Sequence, residues 1–309
     1  MNASKAPMTK APVSQAPVLG LRREADQQAA TLPPLLLAAE QLARTVQMGF
    51  HGKRRAGTGE EFWQYRPVHS GDEARFIDWR RSGRSDSQFV REREWQLAQT
   101  LHLWVDDSAS MQFTGAGTGR NARPEKGARA RLLALALAVL SVRSGERVGL
   151  TGALVTPKPG RGQIMTLAQM MSQAGAVDDY GVPETSAVRA QSKVVFLSDF
   201  LGDPQRMAES LRRLSERGVT GVMLQVLDPV EEDFPFDGRT IFESMAGSLR
   251  HETRKAGDLR ARYRLRLAER RDRLARMARA AGWQFGTHHT GETAQSALLW
   301  LHAALERGR

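Results

Sequence analysis

The chain has 309 residues, room for one large α/β domain with appendages or for two domains. Apolar residues make up 41% and charged residues 26%, a globular composition that excludes a mainly disordered or membrane-embedded chain, and the absence of cysteine excludes disulfides, thiolate zinc sites and cysteine nucleophiles. The net charge is +11, and eight of those charges fall between Arg250 and Arg279, where twelve basic residues face four acidic ones, so an acidic partner enters consideration.

Residues 1–31 carry Lys5 and Lys10 among Ala, Pro, Ser and Gln, with no hydrophobic segment of signal type; they are expected to be a disordered tail of a cytoplasmic protein. From Pro34 to about Met48, the recurrence of Leu35, Leu36, Ala39, Leu42, Ala43 and Val46 predicts a helix with one apolar face. Phe50 to Glu94 mixes both charge signs with Phe62, Trp63, Tyr65, Phe76, Trp79 and Phe89, which predicts a compact, ion-paired subdomain of turns and short strands. The first helix and this segment together, residues 32–98, form the expected N-terminal unit.

From residue 99 the pattern becomes β/α alternation. Strands are expected at Thr100–Val105, Arg147–Val155, Lys193–Leu197, Gly221–Leu227 and Trp283–His288, and helices at Pro124–Val142, near Leu167–Met171, at Pro204–Glu216 and at Thr293–Glu306. The apolar run Leu132–Leu140 is about half the roughly 20 residues that cross a bilayer, so no transmembrane helix is expected. The arginine-rich segment 250–279 is expected to be a long helix ended by Gly282. Strands without polar alternation, separated by helices, indicate a doubly wound, mainly parallel α/β sheet over residues 99–309.

The strand ending at Val105 runs into Asp106-Asp107-Ser108-Ala109-Ser110, a D-x-S-x-S loop, and the strand at Lys193 ends in Ser198-Asp199. Open α/β sheets bind ligands beyond the carboxyl ends of their strands, where the strand order reverses. If the two strands are neighbours, Asp106 and Asp199 share a crevice whose oxygen-only donors, with Ser108 and Ser110, suit a hard cation such as Mg²⁺. The alternative is a capped turn, with these side chains satisfying nearby backbone N–H groups. Glu60, Glu61, Arg66, Asp72, Arg75, Asp78 and Arg80 form either a recognition surface or a buried ion-pair network. Gly57-Thr58-Gly59 reads as a turn, and His288 and His289, at a strand end, as surface histidines.

The D-x-S-x-S loop and the second Asp resemble the metal-ion-dependent adhesion site of von Willebrand factor A-type domains. Gly57–Pro67, Gly71-Asp72, Arg75, Ile77–Arg80, Val90–Glu92, Asp106–Met111, Arg147–Leu150, Ser198–Phe200 and Leu227–Pro229, in that order, resemble the bacterial family called domain of unknown function 58. The resemblance implies a von Willebrand factor A-like fold, a metal site at Asp106, Ser108, Ser110 and Asp199, and a threonine from a further loop, for which Thr151, Thr156 and Thr166 are the candidates. It also implies a MoxR-class AAA+ ATPase as partner, in assembly or chaperoning, with a membrane-bound complex as a possible setting. The expected function is therefore a non-enzymatic protein-interaction module with no small-molecule substrate. The alternatives are a Mg²⁺-dependent phosphoryl hydrolase using the same carboxylates, and nucleic-acid binding through the arginine-rich helix.

Overall fold

The computed structural model describes residues 33–49, 62–69, 77–83, 87–93, 99–115, 122–152, 156–173, 178–247 and 250–307. At its centre is a five-stranded sheet of β3 (Thr100–Val105), β4 (Arg147–Leu150), β5 (Lys193–Ser198), β6 (Thr220–Leu227) and β9 (Gln284–His289), in the order β4-β3-β5-β6-β9. Every pairing within it is parallel. After β4 the chain crosses back over β3 to form β5, so the strand order reverses between β3 and β5. The register aligns Val105 with Leu197, which brings Asp106 and Ser198-Asp199 to the same end of adjacent strands.

Alternate residues of each strand feed two cores. Leu101, Leu103, Val195, Leu197, Val222, Leu224 and Val226 pack against α1 (Pro34–Gly49), α3 (Lys126–Arg143), α4 (Arg161–Gln173) and α8 (Ala294–Arg307). Val194, Phe196 and Met223 face the other way, onto α5 (Pro204–Ser215) and α7 (Arg260–Ala280). Helices on both faces explain why the strands are apolar throughout. Leu133 to Leu140 are all buried because α3 lies between the sheet and the surrounding helices α1, α4 and α8, as a helix apolar on every side must.

The first helix forms as its spacing predicts, and its buried Leu36, Ala39, Ala43 and Val46 belong to the main core. By packing, α1 therefore goes with the α/β layers rather than with the charged segment that follows it. That segment contributes β1 (Phe62–Pro67) paired antiparallel to β2 (Phe89–Arg93), with α2 (Trp79–Ser82) between them.

The basic segment differs from expectation at its start. Arg250–Thr253 is strand β8, paired antiparallel to β7 (Thr240–Glu243), and the helix begins only at Arg260. A further short helix, α6 (Pro229–Asp233), follows β6. Phe234, Phe236 and Phe242 pack on one another, and Phe234 packs on Tyr263 of α7, which roots this hairpin on the helix. An arginine-rich hairpin arm has no long apolar period to separate it from a helix in sequence. Gly282 ends α7 with a φ of 74°, as expected of a C-cap glycine.

Candidate functional site

The strand ends at the switch point gather the expected oxygen donors and then close over them. Asp106 is 1% exposed. Its Oδ1 accepts the Ser108 amide at 3.0 Å, and its Oδ2 accepts the Ser198 hydroxyl at 2.6 Å. Ser198 Oγ in turn accepts the Phe200 amide at 2.9 Å. Ser108 and Ser110 are buried with their hydroxyls 3.2 Å apart, bonded to each other. Burial raises the Asp106 carboxyl above its ordinary range, and the nearby Asp199 charge adds to that, against the bonds from Ser198 and Ser108.

Asp199 is equally buried and is held by a cation from within the chain. Lys126 Nζ donates to Asp199 Oδ2 at 2.8 Å and to Glu231 Oε1 at 2.6 Å, while Asp199 Oδ1 accepts the Leu201 amide at 2.9 Å. The Lys126 side chain is 1% exposed, its ammonium 5.6 Å from the centre of the Phe113 ring. Burial works against that charge, but Asp199 and Glu231 outweigh it and hold the ammonium above the ordinary lysine value. Tyr263, nearby, is pushed up to about 12, first by burial and then by Glu231, so its phenol stays protonated.

The network continues along the strand ends. Glu231 Oε2 accepts the Asp228 amide at 2.8 Å and Asp228 Oδ1 accepts the Val230 amide at 2.9 Å, a capping box that starts α6. Arg123 bonds both Asp228 oxygens at 3.1 Å, and Thr290 bonds Oδ2 at 3.0 Å. Burial alone would raise the Asp228 carboxyl; Arg123, the Val230 and Gly115 amides and Thr290 together bring it below its ordinary value. Arg129 donates to His288 Nε2 at 2.8 Å and to the Glu292 and Thr290 carbonyls.

His288 is therefore not a surface histidine. It is buried, and burial, with Arg129 beside it, lowers its pKa to about 4. Because Nε2 accepts from Arg129, the ring proton sits on Nδ1, toward Glu292 Oε2 at 3.3 Å. His289 bonds Glu232 and Glu292.

A lid covers the donors. The Asp178 and Asp179 carbonyls accept the Ala109 and Ser110 amides, and Gly181 lies directly against the Asp106 carboxylate. The turn after β7 fastens this lid, with the Ala246 amide on Asp179 Oδ1 at 2.8 Å and the Ser244 hydroxyl on Oδ2 at 3.1 Å. Tyr180, Val182 and Met245, large apolar side chains on the lid and its fastening turn, are exposed.

The expected metal donors Asp106, Ser108, Ser110 and Asp199 are thus brought together, but as arranged they do not fit a divalent cation. An ammonium already satisfies Asp199, the seryl hydroxyls share one hydrogen bond with each other, and Asp106 is spent on Ser198 and a backbone amide. Among the described residues no group of three or more His, Cys, Asp or Glu side chains is disposed to hold a metal ion. Of the threonine candidates, Thr151 is buried with its hydroxyl unpartnered, Thr156 is exposed, and Thr166 bonds the Gly162 carbonyl on α4.

Glu60, Glu61, Asp72, Arg75 and Gly57-Thr58-Gly59 lie outside the described residues, as does the side chain of Arg66. Asp78 caps α2, accepting the Arg81 amide at 3.1 Å, and Arg80 is exposed. Lys126, Glu231, Arg123 and Gly181 were not among the residues singled out from sequence. A signal existed for one of them: Lys126 stands in the first turn of a helix, where the helix dipole disfavours positive charge unless anions lie close by.

Fold and site define a doubly wound α/β domain in which the strand-end carboxylates Asp199 and Asp228 are paired with cations of the same chain. A family model described as "Protein of unknown function DUF58" matches residues 64–273, and the chain belongs to that family. Uncharacterized proteins of Mycobacterium tuberculosis and Mycobacterium bovis are 30% identical to it over 298 residues, covering 91% of this chain and 90% of theirs. A crystal structure of the conserved hypothetical protein BatB from Bacteroides thetaiotaomicron aligns with 67% of this chain and 98% of its own, at 11% identity and a TM-score of 0.32.

Proposed function

We propose that the chain is a non-enzymatic protein-interaction module of von Willebrand factor A-like type, which acts with a MoxR-class AAA+ ATPase in assembly or chaperoning. The observation that carries this reading is the closed strand end. The crevice where α/β folds commonly take ligands is filled by an ionic and hydrogen-bonded network and covered by a lid that exposes Tyr180 and Val182, beside Met245 on its fastening turn. Exposed apolar side chains over a closed crevice suit a protein surface better than a small substrate.

The same closure speaks against phosphoryl hydrolysis, because a general base must reach a proton on substrate or water, and Asp106 and Asp199 are each 1% exposed. Among the described residues no helix is long and apolar enough to cross a membrane.

The test is calorimetric titration of the chain with a purified MoxR-class ATPase from the same genome, with and without ATP. Saturable binding is expected, weakened at least about tenfold by Tyr180→Ser, Val182→Ser and Met245→Ser together, with the melting temperature unchanged. No binding in either nucleotide state, or binding indifferent to the triple substitution, contradicts the proposal.

A further inference from the structure

We infer that Lys126 is the resident cation of the strand-end site: its ammonium engages Asp199, one of the four donors that the resemblance gives to a divalent ion, and so does there the work of a metal. The inference holds whether or not the partner reading is right, because it rests on the internal geometry alone.

Three features carry it. First, the ammonium joins carboxylates from separate elements, Asp199 after β5 at 2.8 Å and Glu231 of α6 at 2.6 Å, which is the bridging task of an ion among oxygen donors. Second, the carboxylates are oriented for it. The Asp228–Glu231 capping box uses Glu231 Oε2 and leaves Oε1 to Lys126, and the Leu201 amide uses Asp199 Oδ1 and leaves Oδ2. Third, nothing about the helix itself asks for the residue. A lysine in the first turn of α3 opposes the helix dipole and, 1% exposed, gives up its hydration, so its position is explained by the two carboxylates and not by α3.

With the ammonium removed, the buried Asp199 carboxylate and the half-buried Glu231 carboxylate face a gap of lysine-chain volume. Its carboxylate end offers two anionic oxygen donors, and a small hard divalent cation is the ligand class that suits them. The wild-type chain should therefore ignore such ions, and a chain without the ammonium should need one.

The experiment uses the full chain, stripped with EDTA and then followed by thermal unfolding and calorimetry against Mg²⁺ and Mn²⁺. Wild type is expected to show no saturable heat and no shift in melting temperature. Lys126→Met should melt about 10 °C lower, the usual scale for leaving buried charges without their partner in a chain of this size. Lys126→Ala should regain several degrees in about 10 mM Mn²⁺, and the recovery should vanish in Lys126→Ala/Asp199→Asn. If Lys126→Ala does not fold without ions, its refolding yield in Mn²⁺ against EDTA gives the same readout. The neutral combination Lys126→Met/Asp199→Asn/Glu231→Gln should melt near wild type in EDTA. Stoichiometric Mn²⁺ binding by wild type that Asp106→Asn abolishes overturns the inference, as does a Lys126→Ala chain that responds to Mn²⁺ no more than wild type does.

Discussion

Gly181 sits against the Asp106 carboxylate so closely that a methyl group on its α-carbon would come within 2.2 Å of Oδ1. No side chain other than hydrogen fits between the lid and the first strand end, so the lid is seated on the carboxylate it covers. Gly181→Ala must push Asp106 off Ser198 or lift the lid, and either should destabilise the chain by about 1–3 kcal/mol in urea unfolding. Gly162→Ala, in α4 with open space around its α-carbon, is the control and should be neutral or stabilising by up to about 1 kcal/mol. Equal behaviour of the two variants would show that the lid does not rest on Asp106.

His288 gives the chain an acid sensitivity of definite sign. Its folded pKa of about 4 lies below the unfolded value of 6.5, so the unfolded chain takes up the proton first, and stability is lost as pH falls through that window. From pH 7 to pH 5 the loss from this group is about 2 kcal/mol. His288→Gln keeps an acceptor for Arg129 and removes the titration, so its stability should fall less than that of wild type over the same range. Parallel pH curves would contradict the assignment.

Eight of the nine arginines of α7, all but Arg279 in its last turn, divide by what they touch. Arg260 bonds the Phe234 and Phe236 carbonyls, Arg264 the Asp233 carbonyl, and Arg271 the Glu232 carboxylate. Arg270 bonds the carbonyls of Phe200 and Gly202 and so steadies the turn in which Phe200 takes a φ of 51°. Arg262, Arg266, Arg273 and Arg276 are exposed and share one helix face. Arg270→Ala is expected to cost about 1–3 kcal/mol, since it strips two carbonyls beside the site and leaves a left-handed phenylalanine unsupported. Replacing Arg262, Arg266, Arg273 and Arg276 by Gln should leave the melting temperature nearly unchanged. If the helix binds nucleic acid, that variant will elute from immobilised DNA at markedly lower salt; unchanged elution removes that alternative.

Asp228 joins the end of β6 to two partners and starts α6, so its replacement tests the network away from the lid. Asp228→Ala removes the cap and leaves Arg123 and Thr290 without their acceptor; a loss of about 2–4 kcal/mol is expected in chemical unfolding. Asp228→Asn retains an acceptor for Val230 and should lose less.

The parallel sheet was legible because its strands are short apolar runs separated by helices, and that pattern alone placed Asp106 and Asp199 at the same sheet end. Pairing order was accessible only through the rule that ligand crevices open where strand order reverses, which the adjacency of β3 and β5 satisfies. What satisfies Asp199 was not legible. Lys126 is 73 residues away from it in sequence, and its one signal, a place in the first turn of α3, says that anions lie near without saying which. The β7–β8 hairpin was hidden for a related reason: Arg250–Thr253 has no apolar alternation, since both faces of that strand are largely exposed. His288 was misjudged because its anchor, Arg129, lies on α3 and meets it only across the folded strand ends.

The most direct measurement of the central claim is a crystal of the wild-type chain soaked in Mn²⁺, with anomalous diffraction recorded at the manganese edge. No peak is predicted between Asp106 and Asp199, with the Lys126 side chain traced to within hydrogen-bond distance of Asp199 and Glu231. A manganese peak on those carboxylates, with the lysine swung out toward solvent, would contradict it.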